Sequence, residues 1–460
     1  LSDTTAMLLT VGEELDLPVY ALAYGGEGIA KHKGIVVFIP EALPGDLLRV
    51  RITQVKKRFA RGELISILKP SPDRVTPFCP VAGSCGGCSW QNYTYPSQLK
   101  TKQEFVENAL QHVGHLKAIP VAAPLKAAHQ TGYRHKIQIP FQAKAGSDIQ
   151  AGFYAKQSHS VVPMEECPVQ PALGNRLFKH VRELAATCGY TGYDEAARTG
   201  QIRHLVIRVG LHTREVLAVI VTAAEELPRL QEFAGELQQR MPELVGVVQN
   251  VNAAATNVIL GDSFKTLVGR PYLYEEIRGL RYRISAESFF QVNPHQLPNL
   301  VDAVLQAAGL SGRETALDLF CGVGFLTLEM AKVSRMVFGI ECVGSAIEDA
   351  QANKHLNHFS NVDFMALDAA AGLDRLKSRG FSPEVVVLDP PRKGCEPELL
   401  VKLAAMHPKR IVYVSCNPVT LARDLAMLCE RGYRVNGIQP VDLFPHTYHI
   451  ESVAGLSRKK

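Results

Sequence analysis

The chain has 460 residues, 46% hydrophobic and 21% charged, the make-up of a globular protein with room for two or three domains. An apolar run of about 18 residues that could span a membrane is absent, as is a basic segment leading into an apolar one that would read as a secretory leader, so a cytoplasmic location is expected. Fifty basic against 45 acidic residues leave +5, too mild to require a nucleic-acid partner, and ten cysteines without a leader point to metal binding or chemistry instead of disulfides.

Short strand-like runs at residues 17–20, 34–39, 46–54 and 62–68, broken at Gly25-Gly26, Pro44-Gly45 and Arg61-Gly62, predict a small OB-like β-barrel within residues 1–69. Arg51, Lys56, Lys57, Arg58 and Arg61 stand around Phe59 on one edge. Such a pattern suits a single-stranded nucleic acid with stacked bases, or a solvated charged hairpin. Pro70, Pro72, Pro77 and Pro80 read as a linker. An α+β region follows to about residue 285, with a helix expected over 96–116 and strands over 133–142, 205–209 and 215–222.

Near its start, Cys79, Cys85 and Cys88 share one Gly-rich loop, and Cys167 in Glu166-Cys167-Pro168 is a distant fourth. Four thiolates suit a 4Fe–4S cluster. Zinc also takes four thiolates, but usually from two short paired spacings, and an unmetallated set is the third reading.

From about residue 300 the pattern alternates strand and helix, with strands expected over 315–320, 336–341, 362–367, 385–389 and 410–415, which predicts a doubly wound parallel sheet. The first strand runs into Asp318-Leu319-Phe320-Cys321-Gly322-Val323-Gly324 and the second ends in Glu341, placed for ribose hydroxyls. Thr327 stands where a dinucleotide fingerprint has its third glycine. The acid ahead of the glycines is instead the pattern of S-adenosylmethionine binding, with tight packing as the alternative. Asp389, in Asp389-Pro390-Pro391-Arg392-Lys393-Gly394, and Cys416, in Ser415-Cys416-Asn417-Pro418, follow two further strands. Strand C-terminal ends are where such sheets bind ligands, so Cys416 reads as a nucleophile or as a buried structural thiol. Phe289 or Phe290 suits base stacking or the core.

With these residues in place, the chain resembles the S-adenosylmethionine-dependent RNA (uracil-5-)methyltransferases, in the iron–sulfur branch that modifies 23S ribosomal RNA. Gly25-Gly26-Glu27-Gly28-Ile29-Ala30 and Ala42-Leu43-Pro44-Gly45-Asp46 resemble a TRAM domain, and Phe290-Gln291-Val292-Asn293 resembles the opening of the catalytic domain. The resemblance implies three units: a TRAM barrel (1–69), a central domain with the cluster (70–285) and a Rossmann-like methyltransferase domain (286–460). It implies Cys79, Cys85, Cys88 and Cys167 as cluster ligands. Gln291, Phe320, Gly322, Glu341, Asp368 and Asp389 would serve the cofactor. Cys416 would be the nucleophile, Asp389 the acid beside it and Glu451 the general base, with His446 and His449 next on the same segment. The implied reaction is methyl transfer to C5 of a uridine in 23S rRNA, or in tRNA, through a Cys–C6 adduct by a monomeric enzyme. A nicotinamide-dependent oxidoreductase would share Gly322, Gly324 and Glu341 but leave Asp389 and Cys416 without a task. An electron carrier would use only the cysteines, and a non-catalytic RNA-binding protein only the barrel.

Overall fold

Residues 9–143 and 149–459 are described in the computed structural model, so residues 1–8 of the expected N-terminal unit lie outside it. Strands β1 (Glu14–Leu22), β2 (Gly28–His32), β3 (Ile35–Ile39), β4 (Leu47–Val55) and β5 (Phe59–Lys69) close a barrel in the order β1-β2-β3-β5-β4. Leu17 and Val19 of β1 and Leu48, Val50 and Ile52 of β4 alternate inward with period two and fill its core. Arg61-Gly62 is no turn: Gly62 lies inside β5, where a β-carbon would collide with Val50. The basic edge is also partly neutralised. Arg51 pairs with Glu14 and Glu63, and Arg61 with Glu27, while Lys56, Lys57 and Arg58 remain exposed at the β4–β5 turn. Buried Asp46 anchors the outgoing chain by accepting from Ser71 N at 2.8 Å and pairing with Arg74.

Helix α1 (Tyr95–His112) follows the cysteine loop and packs Val106, Ala109 and Leu110 into the C-terminal core. Strands β6 (Lys136–Ala143), β7 (Ile149–Tyr154), β8 (Val161–Pro163), β9 (Ile202–Val209), β10 (Val216–Thr222), β11 (Leu244–Val251) and β12 (Ser263–Gly269) form a sheet in the order β12-β11-β10-β9-β6-β7-β8. Helices α2 (Ala172–Thr187) and α3 (Leu230–Arg240) cover one face over Leu205, Ile207 and Ile220. The other face, with Val206, Val219 and Val221, joins the core of the C-terminal unit. That is why β9 and β10 are buried on both sides. The ribbon β13 (Tyr272–Ile277) and β14 (Leu280–Ser285) lies before the boundary expected at 285, yet it docks on the C-terminal unit: Asn353 accepts from Arg283 N at 2.6 Å and Asp349 from Ser285 N at 2.8 Å.

In the C-terminal unit β15 (Thr315–Leu319), β16 (Met336–Glu341), β17 (Val362–Ala366), β18 (Val385–Leu388), β19 (Arg410–Ser415), β20 (Tyr433–Val441) and β21 (Glu451–Arg458) are ordered β17-β16-β15-β18-β19-β21-β20. Helices α4 (Leu297–Ala308), α5 (Phe325–Ala331), α6 (Gly344–Leu356), α7 (Ala369–Ser378), α8 (Pro397–Ala405) and α9 (Pro418–Glu430) complete the unit. The sheet is not wholly parallel as expected. β21 inserts antiparallel between β19 and β20, because the 442–450 connection turns back without a crossover helix. Strand order, not direction, reverses between the parallel neighbours β15 and β18, the switch point where such sheets bind ligands.

Candidate active site

The rim of this sheet gathers the residues singled out above. After β15, Phe320 takes a left-handed backbone (φ 66°), rare for a bulky residue, and its N–H reaches Ile340 O at 2.9 Å. This turns the chain sharply into the glycine loop. A β-carbon on Gly324 would lie 2.8 Å from Phe364, so only glycine lets α5 start this close to the sheet. Glu341 braces the loop, accepting from Gly322 N at 3.2 Å and Val343 N at 2.9 Å. Thr327 donates to Asp318 at 2.6 Å, which gives the missing third glycine a task of its own. Burial pushes Asp318 up to about 7, with Asp389 and Glu341 adding to it. Asp368 is exposed and caps α7 by accepting from Ala370 N at 2.9 Å.

Asp389 follows β18, and Gln291 Nε2 donates to its Oδ2 at 3.0 Å. Burial pushes this carboxyl up to about 7 against that hydrogen bond. The register of β19 with β21 pairs Ser415 with Ser452. Cys416 follows the end of β19 and Glu451 opens β21, close enough for the carboxylate to act on the thiol. Glu451 is 2% exposed, not a surface strand residue, and its Oε1 has no hydrogen-bond partner among the described residues. Burial and then Asp389 hold it well above the ordinary carboxylate range, while Arg392 opposes them. Burial, followed by Glu451, pushes the Cys416 thiol up to about 12, and Arg392 again opposes. Burial brings His446 and His449 down to about 4, so both are neutral at pH 7. Phe290 is buried against Tyr282 and Phe325, whereas Phe289 is 63% exposed.

Two residues at this rim were not assigned from the sequence. Arg392 was visible within the Asp-Pro-Pro-Arg motif. Tyr24, from the barrel, carried no signal beyond preceding two glycines, yet its hydroxyl donates to Cys416 O at 3.3 Å.

Cys79, Cys85, Cys88 and Cys167 line one cavity of about 630 Å³, with Arg392 and His449 on the same wall. Burial raises Cys88 and Cys167, and neighbouring thiols add to the rise in both. Among the described residues no three His, Cys, Asp or Glu side chains converge as a formed metal site. The loop is tied to the catalytic rim, since Trp90 N donates to His446 O at 2.9 Å and Gln98 Nε2 to Trp90 O at 2.9 Å. Among the described residues no helix is long and apolar enough to cross a membrane.

Residues 248–459 match the family described as tRNA (uracil-5-)-methyltransferase, and residues 8–65 match the TRAM domain. An uncharacterized RNA methyltransferase of Halalkalibacterium halodurans is 42% identical over 97% of this chain and 97% of that protein. One from Listeria innocua is 40% identical over 99% of this chain and 100% of its own. The crystal structure of the Pyrococcus abyssi tRNA (uracil-54, C5)-methyltransferase in complex with S-adenosyl-L-homocysteine is similar with a TM-score of 0.76 and 29% identity, over 96% of this chain and 99% of that one. Sequence relatives, matched domains and the fold agree: the chain belongs to the S-adenosylmethionine-dependent RNA (uracil-5-)methyltransferases, with an N-terminal TRAM barrel.

Proposed function

We propose that this enzyme makes 5-methyluridine in 23S rRNA through a covalent Cys416–C6 adduct. The observation that carries the mechanism is the closeness of Cys416, just after β19, to buried Glu451 at the start of β21, with Asp389 also beside Glu451. Uracil C5 is a weak nucleophile. The Cys416 thiolate bonds to C6, and the electrons of the C5–C6 double bond move toward the C4 oxygen as an enolate. C5 then takes the methyl group, and the sulfur of S-adenosylmethionine keeps the bonding pair as S-adenosylhomocysteine leaves. Glu451 removes the C5 proton, the C5–C6 double bond re-forms, and the Cys416 sulfur is expelled. Asp389, fixed by Gln291, would orient the uracil edge or the cofactor. Gln291, Phe320, Gly322, Glu341 and Asp368 would hold the remainder of S-adenosylmethionine. Arg392 favours both anions the cycle needs, and the positive sulfonium adds to it. Tritium release from RNA with C5-tritiated uridine tests the reaction; none would refute it.

The barrel beside a four-cysteine loop supports the ribosomal substrate. The Pyrococcus abyssi relative, which acts on tRNA, favours a tRNA uridine as the second reading. Mapping 5-methyluridine in rRNA and tRNA from a knockout strain separates them. Arg134 and Arg392 line the large cavity, which suits the phosphates of a substrate whose target base has left its stack. The exposed turn Lys56-Lys57-Arg58 would hold the RNA further out. Changing all three to alanine is expected to lower the salt dependence of RNA affinity by a slope of about 2, leaving turnover at saturating RNA unchanged. An unaltered slope would give the barrel's RNA contacts to other residues.

Cys79, Cys85, Cys88 and Cys167 fit a 4Fe–4S cluster as four thiols around one cavity. We assign it a structural part, and no step of methyl transfer passes through it. Protein purified without oxygen is expected to be brown, with about four iron and four sulfide per chain, and Cys85→Ser to lose both. Stoichiometric zinc without iron would overturn this assignment.

A further inference from the structure

At the contact between the barrel and the methyltransferase rim, Tyr24 reaches furthest toward Cys416. Tyr24 sits in the turn joining β1 to β2, closed by Gly26 N to Ala23 O at 2.9 Å. Its ring stands edge-on to Phe105 of α1 at 5.6 Å and to Tyr448 of the 442–450 connection at 5.7 Å. Trp90 of the cysteine loop and Leu22 and Leu43 of the barrel complete this apolar wedge. Gly26, at φ 91°, lets the turn press in: a β-carbon there would lie 3.3 Å from Tyr448 and 3.4 Å from Trp90. At the tip, the Tyr24 hydroxyl donates to the backbone carbonyl of Cys416 at 3.3 Å. The same peptide is gripped from its other end, since Asn417 N donates to Ser415 Oγ at 3.1 Å, and Asn417 caps α9 through Val419 N. The two bonds together hold the plane of the Cys416–Asn417 peptide, and with it the backbone from which the Cys416 thiol projects.

We propose that Tyr24 is a positioning residue for the nucleophile, so that the TRAM barrel takes part in thiol addition as well as in holding RNA. This rests on the reading of Cys416 as the nucleophile. A barrel that only anchored RNA would need no hydroxyl against the carbonyl of a residue on the catalytic rim. The wedge explains why the hydroxyl can act as a fixed donor: its ring is clamped by side chains from α1 and the 442–450 connection.

Tyr24→Phe in the full chain removes the hydroxyl and keeps the ring. The rate of covalent adduct formation with saturating 5-fluorouridine RNA, and kcat with saturating uridine RNA, are expected to fall together by about tenfold, the loss of roughly one hydrogen bond. KM for RNA and cofactor affinity should change by less than about twofold, because the group acts on the chemical step alone. The pH midpoint of adduct formation should not move, since no ionisation is altered. A raised KM with wild-type kcat would make Tyr24 an RNA or docking residue and overturn the proposal, as would an unchanged adduct rate. Cys416→Ala run in parallel separates the two ideas. If it still forms adduct, the nucleophile reading fails. If it forms none while Tyr24→Phe reacts at the wild-type rate, only the positioning role fails.

Discussion

Cys416→Ala is expected to lower methylation by more than about 10³-fold, because the thiol supplies the covalent step that makes C5 reactive. Affinity for S-adenosylmethionine should stay near that of the wild type, since Gln291, Glu341 and the glycine loop are untouched. With 5-fluorouridine RNA the wild type should form a denaturant-resistant complex, because fluorine at C5 cannot leave as a proton does, and Cys416→Ala should form none. Turnover by Cys416→Ala at the wild-type rate would end the mechanism. The environment of the thiol also sets a pH dependence. Burial holds it up to about 12 in the protein alone, so the thiolate fraction, and with it the adduct rate, climbs with pH through neutrality. Arg392 opposes that rise, so Arg392→Gln should displace the rate profile toward alkaline pH.

Glu451→Gln separates the two halves of the reaction. Thiol addition and methyl transfer need no base at this position, whereas loss of the C5 proton does. Methylated RNA should therefore remain bonded to the enzyme, giving a slow-migrating band that carries label from methyl-labelled S-adenosylmethionine. The band should be far stronger than in wild type and absent when Cys416→Ala is added. Release of product at the wild-type rate would remove Glu451 from the role and turn attention to His446 and His449. A melting curve run in parallel checks that this variant folds. A buried carboxyl whose pKa is raised on folding stabilises the protein only below its unfolded value, and that contribution is lost as pH rises through the folded value. A neutral Gln carries no such loss, so the melting temperature of the variant is expected to depend less on pH than that of the wild type.

The strand–helix rhythm after residue 300, the glycine loop after an acidic strand, and the motifs around Asp389 and Cys416 determined the C-terminal fold class and named the candidate residues at its rim. These signals are local: each couples a short apolar run to the loop that follows it. The same holds for the barrel, whose inward residues alternate with period two, although β2 was not read as a strand because Gly28–His32 offers only two apolar side chains. Tertiary structure decided what depends on residues far apart in sequence. Glu451 reaches Cys416 only because β21 returns antiparallel between β19 and β20, a pairing that no local pattern announces. Two of the five basic residues on the barrel edge, Arg51 and Arg61, are paired with Glu14, Glu63 and Glu27 from elsewhere in the barrel. Cys167 joins the other three thiols across β6 to β8. Tyr24 acquires its neighbours because the barrel packs against α1 and the catalytic connection at once, bringing together residues 392 positions apart. Short-range periodicity records which face of an element is buried. Which element buries it, and which side chains then meet, is settled by the packing of the whole chain.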